Sequence, residues 1–243
     1  MIIQNIRAIT EQIIAAAHHA NRNPSDITLI AVTKTHPPDV IMQAVAAGLH
    51  HLGENRVQEA DEKITALAAE RARLRWHLIG HLQSNKAKRA AHLFDMIHSL
   101  DSVALAERLN RHRAALEAVP PLPVLLQVNI SGEDTKEGFA MRPDPTSARL
   151  DAFVQAVAAI AALPALDVQG LMTIAPYSDE PEQARPVFAA LRTLRDQLRQ
   201  HCPNLALPHL SMGMTNDFTV AIEEGATFVR VGRAIFGERP PLH

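Results

Sequence analysis

Lys34 ends a short apolar, β-prone run, Ile27-Thr28-Leu29-Ile30-Ala31-Val32-Thr33-Lys34. A lysine partly withdrawn from water has a lowered ammonium pKa, so its neutral amine becomes accessible as a nucleophile toward carbonyls. Two segments near the C-terminus offer the complementary chemistry, Ser211-Met212-Gly213-Met214-Thr215-Asn216-Asp217 and Val229-Arg230-Val231-Gly232-Arg233-Ala234-Ile235-Phe236-Gly237. In the first, Ser211 and Thr215 supply hydroxyls, Gly213 permits close backbone approach, and a helix is expected to begin near Asn216. Free amides at such a helix start attract a phosphate dianion. In the second, Gly232 adds a backbone amide and Arg233 a cation. Taken singly, Lys34 reads as a solvated strand-end lysine and each glycine segment as a turn with a capping hydroxyl. Taken together they describe a phosphorylated aldehyde held at both ends.

The elements that would position these groups alternate along the whole chain. Strand candidates are 28–33, 50–53, 75–79, 96–99, 124–129, 168–173, 209–212 and 228–231, about the eight that a closed parallel barrel requires. Helix candidates between them include 38–47, 56–69, 102–118, 148–162, 180–201 and 217–224. Pro37-Pro38 marks a helix entry, and Gly48 and Gly225 mark helix ends. The first twenty residues predict a further amphipathic helix outside the barrel, with Ile2, Ile3, Ile6, Ile9 and Ile13 on one face. Residues 142–145, Arg-Pro-Asp-Pro, read as a loop. The fold class expected is therefore α/β: one (β/α)8 barrel over residues 1–243, with an extra N-terminal helix. An open doubly wound sheet gives the same alternation, but phosphate signals after the last two strands favour the barrel, whose phosphate sites are built there.

Composition narrows the partners. The 24 Lys+Arg against 26 Asp+Glu leave a net charge of −2 with no basic block, and only 4% of residues are aromatic, which argues against nucleic acid. The single Cys202 cannot form an internal disulfide, which fits a reducing compartment. No signal-peptide pattern opens the sequence and no apolar run is long enough for a bilayer, so a cytoplasmic protein without membrane contact is expected. His77 and His81 stand four apart on a strand running into a loop, which lacks the shared helical face of a zinc motif, so no metal is expected. The other histidines read as scattered, and Glu54, Asn55 and Arg56 as loop-capping contacts. Neither a Gly-x-Ser-x-Gly elbow nor a Gly-x-Gly-x-x-Gly turn is present.

The ordered set Ala31-Val32-Thr33-Lys34, Gly53-Glu54-Asn55-Arg56-Val57-Gln58-Glu59, Trp76–Lys86, Val128-Asn129-Ile130, Lys136-Glu137-Gly138-Phe139 and Ser211-Met212-Gly213-Met214 resembles the pyridoxal phosphate homeostasis proteins, the proline synthase co-transcribed family. The resemblance covers essentially the whole chain. It implies a barrel of the alanine-racemase N-terminal type with pyridoxal 5'-phosphate (PLP) as a Schiff base on Lys34. It further implies phosphate contacts from Ser211, Gly213, Thr215, Gly232 and Arg233, Arg230 near the pyridine nitrogen, and Asn55 and Met212 near the ring. Three positions depart from the family pattern: Arg56 stands where tyrosine is common, Thr215 where serine is usual and Arg233 where threonine is frequent.

An arginine beside the pyridine nitrogen keeps it unprotonated and weakens the ring as an electron sink. Alanine racemases add a second acid–base group from a further β domain and a partner subunit. This sequence closes at His243, soon after the eighth strand, so that domain is not expected here. The reading is a monomeric, non-enzymatic PLP buffer or carrier in vitamin B6 and amino-acid homeostasis, with transient contact to PLP-dependent apoenzymes. Two alternatives stand beside it: a PLP-dependent racemase of narrow range, and a sugar-phosphate barrel enzyme that uses Lys34.

Overall fold

The computed structural model describes residues 1–133, 137–142 and 146–237; Lys136 and the expected loop positions Pro143, Asp144 and Pro145 lie outside the described residues. Nine strands are found among them: β1 (Thr28–Val32), β2 (His51–Glu54), β3 (Arg75–Leu78), β4 (Met96–Leu100), β5 (Leu122–Asn129), β6 (Phe139–Ala140), β7 (Leu166–Met172), β8 (His209–Ser211) and β9 (Phe228–Val231). All pairings are parallel, in the order β4-β3-β2-β1-β9-β8-β7-β5-β6, and β4 also pairs with β5. That last pairing closes eight strands into a barrel. The two-residue β6 attaches to the end of β5 at Val128 and Asn129.

Helices clothe the barrel: α1 (Ile2–His19), α2 (Pro38–Ala46), α3 (Val57–Ala66), α4 (Ala87–Leu93), α5 (Val103–Ala114), α6 (Ser147–Ala161), α7 (Arg185–His201), α8 (Phe218–Glu223) and α9 (Arg233–Phe236). The main apolar core lies between strands and helices, while a smaller cluster of Ile30, Met96, Leu125, Met172 and Phe228 fills the barrel itself. Burial of such faces is the main stabilising contribution.

Sequence and structure differ at a few boundaries. The segment expected as one helix over 180–201 is a 3₁₀ turn, Pro181–Ala184, followed by α7, with Pro186 in the first turn of α7 where its missing amide costs nothing. Helix α3 stops at Ala66 ahead of a second tight turn. Helix α4 was not among the expected helices. Its seven residues are too few to show a period, although Ala87, Ala90, Ala91 and Leu93 are all buried.

Helix α1 packs outside the barrel, as expected. Ile6, Ile9 and Ile13 face inward, but Ile3 is 56% exposed because neighbours on a helix stand about 100° apart. Asn5 donates to the Ile235 carbonyl at 2.9 Å and Arg22 to that of Ile222 at 2.7 Å, which ties α1 to the chain around α9 and α8. The helix ends at Gly48 and Gly225 have φ of +95° and +99°, the left-handed conformation that glycine adopts without strain.

Candidate functional site

Lys34 lies just beyond the C-terminal end of β1, in a turn gripped from behind by three charged side chains. Lys63 of α3 donates to the Thr33 carbonyl at 2.7 Å, to Glu54 Oε1 at 2.8 Å and to Glu59 Oε1 at 2.6 Å. The Thr33 hydroxyl donates to Glu54, and the Thr35 amide donates to Glu59. The backbone on both sides of Lys34 is thus fixed by one ionic cluster. Thr35 is held at φ +68°, a strained conformation for a β-branched residue and one that marks functional turns. Burial raises the Glu54 pKa against the pull of Lys63 and Thr33. Its Oε2 has no hydrogen-bond partner among the described residues. Glu59, more exposed, shows the opposite balance: burial pushes its pKa up, but hydrogen bonds from Lys63 and the Thr35 amide together bring it below the ordinary value.

Glu54 therefore belongs to this cluster and not to a loop-capping contact with Arg56, which is exposed at the entry to α3. The Glu59–Lys63 spacing of i,i+4 was visible in the sequence; its convergence on the Lys34 turn was not.

Lys34 opens into a cavity of about 500 Å³ at the C-terminal ends of the strands. Of the residues singled out in the sequence, Thr215, Arg230, Gly232 and Arg233 line it with Lys34. His36, Tyr177, Ser178, Met214, Asn216 and Asp217 also line it, and sequence reasoning had given none of them a site role. Ser211 and Met212 are fully buried behind the wall, and Asn55 sits half-buried against Gly80, where a Cβ would come within 2.5 Å of the Asn55 carbonyl. Gly213 is also behind the wall. It has φ +91°, and a Cβ there would stand 2.6 Å from Ala221 Cβ and 2.9 Å from Phe218 Cα. Only glycine lets this loop lie flat on α8.

The loop after Gly213 is shaped by Asp217, whose carboxylate accepts from the Met214 amide at 2.6 Å while the Met214 carbonyl accepts from Asp217 and Phe218. The amides of Thr215 and Asn216 have no hydrogen-bond partner among the described residues. Arg233 crosses from the last strand end and donates to Asn216 Oδ1 at 2.9 Å, joining the two glycine segments. Burial raises the Asp217 pKa against the pull of the Met214 amide and Arg230. Open amides, the Thr215 hydroxyl and an arginine fit a phosphate, and the lysine fits an aldehyde.

Arg230 is 4% exposed and held by two acceptors, Ser211 Oγ at 2.6 Å and the Thr173 carbonyl at 2.9 Å. Burial lowers its pKa to about 10, so it remains charged at neutral pH. Behind Ser211 runs a row of imidazoles through the barrel: His98 Nδ1 is 2.9 Å from Ser211 Oγ, His98 Nε2 is 2.9 Å from His77 Nδ1, and His77 Nε2 is 2.9 Å from His51 Nδ1. Desolvation is the main cause that lowers all three pKa values, that of His77 to about 3. These histidines are ordered, not scattered. Their inward register on the neighbouring strands β2, β3 and β4 could not be read before the barrel was closed.

His77 and His81 share no common site. His81 is instead 3.3 Å from Asp101, with Glu137 close by, on the outer loops. Tyr177 is 72% exposed and its hydroxyl donates to Asp179 at 2.8 Å. No helix among the described residues is long and apolar enough to cross a membrane.

A closed parallel barrel with a lysine after its first strand and glycine loops after its last two is the arrangement of the alanine-racemase class, and residues 4–240 match the family model "Alanine racemase, N-terminal domain". Among curated relatives, the pyridoxal phosphate homeostasis protein of Aquifex aeolicus is 42% identical over 236 residues, covering 97% of both chains. That of Pseudomonas aeruginosa is 42% identical over 238 residues, covering 98% of this chain and 96% of the relative. The solved structure of PipY from Synechococcus elongatus with PLP bound is 39% identical, covers 98% of this chain and 100% of its own, and superposes with a TM-score of 0.80. The chain belongs to the pyridoxal phosphate homeostasis protein family.

Proposed function

We propose that this chain binds pyridoxal 5'-phosphate as a Schiff base on Lys34 and holds it reversibly, as a buffer or carrier in intracellular vitamin B6 and amino-acid homeostasis. The observation that carries the reading is that Lys34, Arg230, Thr215 and Asn216 line one cavity. Relatives named for PLP homeostasis, and one solved with PLP, support it. When bound, the cofactor supplies an electrophilic aldehyde and an aromatic electron sink. The protein's own part is to aim the Lys34 amine, seat the phosphate on the Thr215 and Arg233 side, and present Arg230 as a cation at the cavity wall. Asn55, Ser211, Met212, Gly213 and Gly232 shape that wall or stand behind it.

A cation at the ring nitrogen disfavours its protonation and so disfavours carbanion chemistry, which supports a holding role over turnover. Tyr177 lines the cavity, and its hydroxyl donates to Asp179, which favours a surface contact over the role of a racemase's second base. Among the described residues the exposed large apolar side chains are only Met1, Ile3, Ile14, Val119, Ile174 and Tyr177, too few for an extensive apolar interface, which supports a monomer folded as one domain. Transient docking to PLP-dependent apoenzymes in the cytoplasm completes the proposal.

The test is a visible absorption spectrum of the purified protein with added PLP, before and after borohydride, beside Lys34→Ala. A yellow band in the wild type alone, with reduced cofactor trapped on Lys34, is the expected result. A wild type that stays colourless overturns the proposal.

A further inference from the structure

The imidazole row has a direction, and Arg230 sets it. A guanidinium can only donate, so Ser211 Oγ accepts from Arg230 Nη1 at 2.6 Å. The Ser211 hydroxyl proton then needs an acceptor, and His98 Nδ1 at 2.9 Å is the one that the described residues provide. A neutral His98 that accepts at Nδ1 carries its proton on Nε2 and donates to His77 Nδ1. His77 in turn carries its proton on Nε2 and donates to His51 Nδ1. One obligate donor at the cavity wall thus fixes three tautomers in succession, down to His51 at the N-terminal end of β2.

The inner part of the row is packed away from solvent: His98 is fully buried and His77 is 3% exposed, and Phe228 meets both at a steep angle, with ring centroids 5.3 and 5.7 Å away. A buried polar group with a missing partner is costly, so every member holds its neighbour in one state. We propose that His98 is a positioning residue for Arg230, acting through Ser211, and that the His51–His77 pair locks His98 in the single tautomer able to do this. The inference rests on the cofactor reading for the ligand that Arg230 meets, but the tautomers themselves do not.

Protonation of His51 turns its Nδ1 into a donor that opposes the His77 Nε2 proton, so the row keeps its direction only while His51 is neutral. Around His51 stand Arg75, His50, His77 and Asp95, of which only Asp95 favours the added proton. Around His98 stand His77, Arg230, His209 and His51, and none of them favours it.

The first measurement is long-range nitrogen–proton correlation NMR on the full chain labelled at histidine, without ligand, near pH 7.5. The proton on Nε2 of His51, His77 and His98 is the expected result; a proton on Nδ1 of His98 overturns the inference. The second arm is PLP titration of His98→Asn and His98→Gln. An asparagine amide oxygen stands near where Nδ1 stood and keeps the acceptor for Ser211, so its affinity stays within about threefold of the wild type. The glutamine loses that acceptor, which weakens PLP about tenfold and changes the pH dependence of the visible band. Ser211→Ala breaks the same line and serves if His98→Gln does not fold. Variants that all match the wild type overturn the inference. A wild type that forms no band overturns the cofactor reading instead, and the tautomers then decide the inference by themselves.

Discussion

Two buried polar assemblies stand behind the two cavity groups, and they use opposite electrostatics. Behind Lys34, an ammonium and two carboxylates balance each other at 2.6 and 2.8 Å. Behind Arg230, three imidazoles and a hydroxyl pass hydrogen bonds along a row that includes no carboxylate. The ionic cluster grips backbone on both sides of a strained turn, where fixed charge gives strong, short-range hold. The imidazole row grips a cation, where a second charge of either sign would compete with it. Rigid placement is achieved in both, by fixed charges in the first and by a fixed order of donors and acceptors in the second.

The sharpest break of this comparison removes the charge that centres the first assembly. Lys63→Met leaves Glu54 and Glu59 without their cation, and losing one partner of a buried pair costs about 3–5 kcal/mol. A fall in Tm of roughly 10 °C in calorimetry is expected. Adding Glu54→Leu to that variant recovers part of the loss.

The pH dependence of stability separates the two regions by sign. The histidine pKa values lie below the ordinary 6.5 in the folded chain, so the unfolded chain takes up protons first as the pH drops, and stability is lost from about 6.5 downward toward the value near 3 of His77. For His77 alone this amounts to about 2 kcal/mol between pH 7 and pH 5, and the lowered pKa of His98 adds in the same direction. The raised pKa of Glu54 acts the other way: its burial penalty is fully present above that raised value and is relieved as the pH falls through it toward 4.5. Denaturant unfolding across this range should show a net loss on acidification, and His77→Asn should make the slope shallower. A flat profile would break the assignment of neutral buried imidazoles.

The smallest expected effect sharpens the contrast at the Lys34 turn. Thr35→Gly relieves a left-handed β-branched residue but adds freedom to the unfolded chain, so stability changes by less than about 1 kcal/mol. PLP association should slow nonetheless, read by stopped-flow absorbance, because the turn that aims Lys34 loosens. An unchanged rate would show that the ionic grip alone sets the turn.

Much of the cavity was legible in the sequence because its parts are local. Lys34 follows an apolar strand, Gly213, Thr215 and Gly232 sit in short loops whose conformation neighbouring residues dictate, and Arg233 opens the short helix that follows the last of them. The i,i+4 pair Glu59 and Lys63 and the glycine helix ends at 48 and 225 are local in the same way. His36, Asn216 and Asp217 were harder to place, since their role depends on which loops meet across the cavity mouth.

The sequence by itself determined the alternation of strands and helices, the lysine and the two glycine segments, because each is written within a few consecutive residues. Only the tertiary structure decided that Glu54 pairs with Lys63 and not with Arg56, and that His51, His77, His98, Ser211 and Arg230 form one line. Those residues come from five different strands. Their contact is set by barrel closure and by which face of each strand points inward, and a hydrogen bond across a barrel leaves no periodic trace along the chain.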